Sequence, residues 1–303
     1  RYEKQYFQRV IGGQFHSSPI GSIKALRLYL EDYEPDVLYH ANRPQIHGLL
    51  ITLLGERTTA TTVYRYPGDT FRLYQVGKGW KRAPYFLLNN VIGRAPLSLT
   101  DKAVALGPNG REQLTSRGLS ASDICILPPS IDVEEFQNGC PAELTVPNGR
   151  EIILFVGRRT QLKGLETIEA AIPEILSRRD DLQFVFIGKG EEITIGKKWE
   201  DHVTVVGEVP PSAVSSYYHN AELLILPSLT EGIPRVLLEA LATKTPVVAR
   251  NVGDVASVTD NHFTEDASFV EMVVNFEELP VDPISPFDRS VLRENYIEFF
   301  NKI

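Results

Sequence analysis

The feature that most restricts the fold of this chain is a regular alternation of short apolar segments and helical segments between Glu151 and Arg250. Strands that are buried on both faces of a parallel sheet are nearly all apolar, whereas the covering helices repeat apolar residues every three or four positions. The alternation therefore predicts an α/β domain with a doubly wound parallel sheet. The predicted strands are EIILFVG, LQFVFIG, VTVVG, ELLILPS and TPVVAR, and the predicted helices are LETIEAAIPEILSRR, PSAVSSYYHNA and VLLEALA.

A similar alternation precedes this domain, with predicted strands in PDVLYHA, TTATTVYRY, KAVALG and ICILPPSID. The chain has 303 residues, and single cores tend to split beyond roughly 250 residues, so we expect two domains. Strand and helix units that a complete first domain would place before Ile23 are missing, so the first domain is predicted to be incomplete at its start. The predicted division is an N-terminal domain (1–136), a turn-rich linker (137–150), a second domain (151–285) and a C-terminal helix (286–303) with Val291, Leu292, Tyr296, Ile297 and Phe300 at helical spacing.

Composition excludes several classes of protein. The net charge is -8 and no cluster of lysine and arginine dominates, which argues against a nucleic-acid partner. Cys125 and Cys140 are the two cysteines, and no histidines lie near them at metal-ligand spacing, so neither a disulfide framework nor a zinc site is predicted. No apolar run reaches the roughly 18 residues of a membrane span. We therefore expect a cytoplasmic protein.

The stretch EGIPRVLLEALATKTPVVAR, which starts at Glu231, predicts an anion site at a helix N-terminus. Pro234 suits the first helical position, which makes Ile233 the predicted N-cap. Isoleucine offers no oxygen to the amides of Arg235 and Val236, so these donors are available to an anion such as phosphate. The alternative is a cap supplied from the preceding loop by Ser228 or Thr230.

Glu239 is a charged residue in the middle of this apolar helix. A buried carboxylate without a partner is costly, so Glu239 should have a specific hydrogen-bond donor. A pair of sugar hydroxyls or an arginine would serve equally well, and a side chain that escapes to solvent at the helix edge is the structural alternative. Glu231, just before the helix, should lie at the mouth of a cleft.

The loop in FVGRRTQLKG carries two further cations, Arg158 and Lys163, after the first strand of the second domain. Two cations at the carboxyl end of a strand suit the two charges of a diphosphate. The order of residues differs from a P-loop because Lys163 precedes Gly164 and no Gly-Lys-Ser/Thr follows. Taken alone, the two basic residues are also compatible with a solvated loop.

The stretches GRRTQLKG, FVFIGKG, VTVVGEV, ILPSLTEGIPRVLLEALATKTPVVAR and NVGD, in this order, resemble the nucleotide-sugar-binding half of a family 4 retaining glycosyltransferase. The resemblance is strong from Glu151 to Asp260 and includes two glutamates separated by seven residues. Upstream, PDVLYHA, KAVALGPNGREQL and ILPPSIDVEEF resemble the later part of the family's N-terminal domain. The resemblance implies the α/β GT-B fold, with two Rossmann-like doubly wound domains that face a cleft.

The resemblance also implies roles for the matching residues. Arg158, Lys163 and Glu231 are the predicted catalytic residues: the two cations would bind the donor diphosphate and Glu231 the hydroxyls of the donor sugar. Glu239 would accept hydrogen bonds from the ribose hydroxyls. The other predicted donor contacts are Gly157, Gly232, Ile233, Arg235 and Val236 around the sugar and phosphates, and Gly188, Lys189 and Val209 around the base.

The first domain would select the acceptor, and its candidate residues are fewer. A histidine that is common in the family at the end of a strand has no clear counterpart, and VYRYPGDTF offers Arg65 and Asp69 instead. His40 and His47, in YHANRPQIHG, are predicted on a neighbouring loop that could face the cleft, although a lone histidine more often serves structure.

The predicted function is the retaining transfer of a sugar from a nucleoside-diphosphate sugar to an acceptor hydroxyl, in the synthesis of a glycan or a lipid-linked glycan. No cofactor and no essential metal are predicted. Two other functions stay open: a GT-B nucleotide-sugar 2-epimerase, which needs no acceptor, and a non-catalytic module that binds nucleotide sugars.

The segment KGWKRAPYFLL, from Lys78 to Leu88, mixes basic and aromatic residues with an apolar run. Segments at an anionic membrane surface have this composition, so it predicts peripheral contact with the inner membrane face. A helix that packs one face inward is the alternative.

Overall fold

The computed structural model describes residues 27–28, 30–40, 48–76, 79, 82–147 and 149–303. The chain divides into two compact units. The first comprises Arg1–Ala105, Arg111–Cys125 and Lys302–Ile303, and the second comprises Leu106–Gly110 and Ile126–Asn301. The predicted linker, 137–150, therefore lies inside the second unit.

The first unit contains a parallel sheet of short apolar strands. Its order is β1-β2-β3-β4, and the pairs β1–β2 and β2–β3 are parallel, with Val37 opposite Thr61. The strands are β1 (Val37–His40), β2 (Thr61–Arg65), β3 (Lys102–Ala105) and β4 (Ile124–Ile126). The helices in this part of the chain are α1 (Leu49–Gly55), α2 (Leu73–Val76), α3 (Arg82–Phe86), α4 (Ala95–Leu99) and α5 (Pro108–Thr115).

The second unit contains a six-stranded sheet with the order β10-β9-β8-β5-β6-β7 among the described residues, and its described pairs are all parallel. Its strands are β5 (Glu151–Val156), β6 (Leu182–Ile187), β7 (Val203–Gly207), β8 (Leu223–Leu226), β9 (Val247–Arg250) and β10 (His262–Phe263). Its helices are α6 (Val133–Gln137), α7 (Leu165–Arg178), α8 (Val214–Tyr218), α9 (Arg235–Ala242), α10 (Asp266–Val274) and α11 (Arg289–Asn301).

Helices cover both faces of this sheet. Along β5, Ile152 and Leu154 face one core cluster, which includes residues of α8 and α9, whereas Ile153 and Phe155 face the other, which includes residues of α7 and α10. This alternation is the one that a strand buried on both faces must show, because successive side chains point to opposite sides. The predicted doubly wound α/β fold is confirmed for this unit.

Some elements differ from the predictions. The sequence pattern did not reveal β10 or α10 as separate elements. In α11, Leu292 and Phe299 are buried, whereas Val291, Ile297 and Phe300 are exposed, which differs from the predicted apolar face. Tyr296 is anchored differently, because its hydroxyl donates to the carbonyl oxygen of Pro128 at 2.8 Å.

Candidate active site

The strand order of the second unit reverses between β5 and β8, which are parallel neighbours. From β5 the chain adds β6 and β7 on one side, and from β8 it adds β9 and β10 on the other. Ligands of open α/β sheets bind beyond the carboxyl ends of the strands at such a reversal. The two loops that the sequence singled out, 157–164 and 227–234, follow these two strands.

Helix α9 begins at this point with an uncapped N-terminus. Its N-cap is Pro234, with extended backbone, and no side chain caps the helix. The prediction of Ile233 as N-cap is wrong by one residue, because Pro234 keeps an extended ψ of 123° and Arg235 is the first helical residue. The alternative cap is also excluded for Ser228, which is buried with its hydroxyl unpaired. The amides of Arg235 and Val236 therefore lie in the first turn, at the positive end of the helix dipole.

Lys163 and Glu231 come together from these two loops as an ion pair. Both side chains are largely buried, with 29% and 12% of their surface exposed. The loops are also joined through the backbone, because the amide of Leu229 donates to the carbonyl of Leu162 at 2.9 Å. Lys163 ends a short 3₁₀ helix, Gln161–Lys163, just before α7.

Arg158, the other predicted cation, is exposed on the loop after β5. Its neighbour Arg159 is buried instead, and donates to the carbonyl oxygens of Glu191, at 2.9 Å, and Gly188. Arg159 therefore joins the loops after β5 and β6, a structural role that the sequence did not distinguish from that of Arg158.

The residues predicted around the base lie at the carboxyl ends of β6 and β7. Gly188 approaches Gly157 so closely that a Cβ built on Gly188 would overlap the carbonyl oxygen of Gly157, and the Gly188 amide donates to Gly207 at 2.6 Å. Lys189 is exposed and lies 3.1 Å from the carboxylate of Glu208. Val209 is partly buried against the apolar core.

Glu239 has two partners in the same unit. Its Oε2 accepts a hydrogen bond from the hydroxyl of Tyr218 at 3.0 Å, and its Oε1 lies 3.6 Å from Nε of Arg235, one turn earlier in α9. The predicted need for a donor is thus met by a tyrosine that the sequence did not indicate. Burial, together with the nearby Glu239 carboxylate, raises the pKa of Tyr218 well above its usual value.

The acceptor-side candidates belong to the first unit. His40 is the last residue of β1, buried and stacked on Tyr64 with ring centroids 5.3 Å apart, so its predicted position on a loop is wrong. Arg65 ends β2, and Asp69 is buried with its Oδ1 3.9 Å from Nε of Arg72. His47 lies outside the described residues.

The described residues lack two features, a metal-binding cluster and a membrane-spanning helix. No cluster of three or more histidine, cysteine, aspartate or glutamate side chains is arranged to hold a metal ion. In the same part of the chain, no helix combines the length and the apolar character that crossing a membrane requires.

The chain has the GT-B fold, which is the architecture of its structural neighbours. Sucrose-phosphate synthase from Thermosynechococcus elongatus is 18% identical and superposes with a TM-score of 0.74, over 96% of this chain and 79% of that protein. HepE from Anabaena, solved with UDP and glucose, is 13% identical with a TM-score of 0.66, over 97% of this chain and 84% of HepE.

The match to a protein family lies in the second unit. Residues 150–276 match the family model described as Glycosyl transferases group 1. A Bacillus subtilis protein named as a teichuronic acid biosynthesis glycosyltransferase, TuaC, is 27% identical over 84% of this chain and 64% of its own length. A D-inositol 3-phosphate glycosyltransferase of Segniliparus rotundus is 29% identical over 43% of this chain and 32% of its own length. The chain thus spans less than two thirds of the length of these relatives.

Proposed function

We propose that this protein is a glycosyltransferase that moves a sugar from a nucleoside-diphosphate sugar to an acceptor hydroxyl, with retention and without a metal. The observation that carries the proposal is the arrangement at the strand-order reversal. There the Lys163–Glu231 pair and the uncapped N-terminus of α9 lie at the ends of two adjacent strands, inside the region that matches the glycosyltransferase family model. Structural neighbours that were solved with UDP or UDP-glucose, HepE among them, support the same class of donor.

The chemistry follows from where charge develops. When the sugar–phosphate bond breaks, the diphosphate leaves with negative charge, and donors that are already oriented toward it lower the barrier. Arg158, Lys163 and the first amides of α9 would supply that stabilisation. Lys163 can do so without leaving Glu231, because an ammonium has three donors. Glu231 would hold the donor sugar and Glu239 the ribose, and the chain needs to offer no nucleophile for this scheme.

The proposal is tested first by binding and turnover on the same preparation. Titration calorimetry with UDP, GDP and ADP should show one preferred base, and the matching sugar donor should be consumed with an acceptor. Lys163→Ala should lower kcat by about 10² to 10³. The matched control is Lys197→Ala, an exposed lysine in the same unit, which should keep normal activity. Normal turnover in Lys163→Ala would contradict the diphosphate assignment.

The same reactions separate the other functions. Conversion of the donor sugar with no acceptor present would indicate the 2-epimerase, and tight nucleotide-sugar binding without any turnover would indicate a binding module. Retention is checked by NMR of the initial product, in which the anomeric proton should keep the configuration of the donor. An inverted product would contradict this part of the proposal.

The acceptor is proposed to be a glycan or a lipid-linked glycan, reached at the inner face of the membrane by a cytoplasmic protein. In the first unit, α3, the π-helix Leu87–Val91 and Ile92 after it expose several apolar side chains that are close together in the sequence. Residues 70–100 contain five basic residues and no acidic residue, in a chain whose net charge is -8. Positive charge that is close in the sequence to exposed apolar side chains suits an anionic lipid bilayer. The surface consists of Tyr85, Phe86, Leu87, Leu88, Val91 and Ile92, which are 36–55% exposed.

Sedimentation with vesicles tests the membrane contact. The chain should bind phosphatidylglycerol vesicles, release them at high salt, and bind phosphatidylcholine vesicles weakly. Leu87→Ser combined with Val91→Ser should lower binding at least tenfold, whereas Val281→Ser combined with Val291→Ser, at similar exposure in the second unit, should not. Equal binding to the two kinds of vesicle, or binding to neither, would contradict the proposed membrane contact. A change in oligomeric state in the first variant would instead assign the surface to a second copy of the chain.

The acceptor-side roles of Arg65 and Asp69 stay predictions. His40 fits such a role poorly, because it is 1% exposed.

A further inference from the structure

The carboxylate of Glu239 is held from the core side by one buried hydroxyl. Tyr218, the last residue of α8, is completely buried and donates to Oε2 of Glu239 at 3.0 Å. Glu239 keeps 16% of its side chain exposed. One oxygen of this carboxylate is therefore bound to a group inside the protein, while part of the side chain remains exposed.

The position of Tyr218 is itself fixed. Its ring belongs to the core cluster beneath α9, and its carbonyl oxygen accepts a hydrogen bond from the hydroxyl of Thr245 at 3.0 Å. Thr245 in turn lies 3.0 Å, hydroxyl to hydroxyl, from Thr243, which donates to the carbonyl of Ala240 in α9. The hydroxyl of Tyr218 and the helix that carries Glu239 are thus held by one connected set of contacts.

Glu239 retains unused acceptor capacity. A carboxylate has about four lone-pair positions, and Tyr218 occupies one. Arg235 is an ion-pair partner at 3.6 Å, longer than a hydrogen bond, and 62% of its side chain is exposed. Burial raises the pKa of Tyr218, so the phenol stays protonated and acts as a donor throughout the neutral range. The remaining lone pairs are available to two donors side by side.

We infer that Tyr218 is a positioning residue that orients the Glu239 carboxylate toward the vicinal hydroxyls of a ribose. The inference rests on the proposed donor site and adds a residue and a selectivity to it. An unconstrained glutamate would have to give up rotamer freedom when it binds the diol, and Tyr218 removes part of that cost before the ligand arrives. The site should therefore distinguish ribonucleotides from deoxyribonucleotides, and this distinction should depend on Tyr218.

The test compares affinities for a nucleoside diphosphate and its 2′-deoxy form, using the base that the wild-type chain prefers. The wild type should bind the ribonucleotide at least tenfold more tightly. Tyr218→Phe keeps the ring and removes the hydroxyl, and should weaken ribonucleotide binding by about tenfold, the equivalent of one hydrogen bond to a charged group. Binding of the deoxynucleotide should change less than twofold. Tyr217→Phe, at the adjacent partly buried tyrosine, is the matched control and should behave as wild type.

The outcomes are separable. If the wild type binds no nucleoside diphosphate, the proposed donor site fails and the inference fails with it. If the wild type binds but Tyr218→Phe weakens both nucleotides equally, or neither, Tyr218 has only a packing role and the inference alone is overturned. Should Tyr218→Phe not fold, Glu239→Gln provides the second test. It keeps the size of the side chain but replaces one acceptor oxygen with an amide nitrogen that only donates, so it should lose the preference for ribose, and an unchanged preference would overturn the inference.

Discussion

At the scale of single residues, the Lys163–Glu231 pair is the contact on which the proposed chemistry most depends. Both side chains of the pair are largely withdrawn from water, so removing either partner leaves the other charge poorly solvated. We expect Glu231→Ala and Lys163→Ala each to lower the free energy of unfolding by about 1 kcal/mol. The double variant should lose less free energy of unfolding than the two single variants lose together, and the difference, the coupling energy, should be about 0.5 kcal/mol or more. Urea denaturation of the four proteins measures this, and additive effects would show that the pair is not coupled.

A second prediction at this scale concerns acid stability. Arg179 donates two hydrogen bonds to Asp181, at 2.9 and 3.0 Å, and these hold the pKa of Asp181 below its usual value. A depressed carboxyl pKa stabilises the fold above the unfolded-state value, and this contribution is lost as the pH falls through the folded-state value. Its amplitude should be small because Asp181 is 45% exposed.

In Arg179→Met, the pKa of Asp181 measured by NMR should rise toward the usual value of an aspartate, and the loss of stability on acidification should become shallower. Arg178→Met is the control, because Arg178 pairs with Glu271 and should leave Asp181 unchanged. An Asp181 pKa that is the same in wild type and Arg179→Met would contradict the assignment.

At the scale of elements, the loop after β9 packs against the loop that carries Glu231. Gly253 has a φ of +58°, and a Cβ built there would overlap the carbonyl oxygen of Glu231. The backbones are also bonded, since the amide of Asp254 donates to Gly232 at 3.0 Å. The geometry of Glu231 therefore depends on a glycine in the loop after the neighbouring strand of the sheet.

Gly253→Ala should lower the free energy of unfolding by about 3 kcal/mol, from the left-handed backbone and the overlap together, and should weaken nucleotide-sugar binding. Gly118→Ala is the matched control: its φ is +102°, but a Cβ there meets nothing within 4 Å. The control should lose only about 1 kcal/mol and keep its affinity. Equal losses in chemical denaturation would mean that the contact with Glu231 is unimportant.

The elements also show which features the sequence could predict. The apolar runs of β5, β6 and β8 are buried throughout, so the periodicity identified each strand and, through the strand ends, the two loops of the site. The two-residue strand β10 is too short to produce a periodic signal, and α10 was missed with it. The start of α9 was misplaced because Pro234 is compatible with both an N-cap and a first-turn position.

The sequence does not indicate which residues that are far apart in the chain form hydrogen bonds with each other. Tyr218 and Glu239 are 21 residues apart on different helices, and their hydrogen bond depends on how α8 and α9 pack. Likewise, nothing in the sequence distinguished the exposed Arg158 from the buried Arg159, because the difference arises from the neighbouring loop after β6. The composition of a site is readable from motifs, whereas its hydrogen bonds require the fold.

At the scale of the whole molecule, the two units have separate cores of different size. Within the described residues, the sheet of the second unit is covered by an extensive apolar cluster on each face. The described part of the first unit shows a small cluster of buried side chains that includes Tyr64 and Phe71, and a smaller one around Leu38. Since stability scales with buried apolar area, the second unit should be the more stable of the two.

Calorimetry should therefore show two transitions, with the first unit unfolding at the lower temperature. The proposed donor site lies within the second unit, so a nucleoside diphosphate at 100 times its Kd should add about 2.7 kcal/mol to that unit alone. Gly118→Ala and Gly253→Ala assign the transitions, because the two glycines lie in different units. Each variant should lower the transition temperature of its own unit and leave that of the other unchanged. The ligand should raise the upper transition in wild type and much less in Lys163→Ala. A ligand-induced shift of the lower transition instead would place the binding energy in the first unit and contradict the assignment of the donor site.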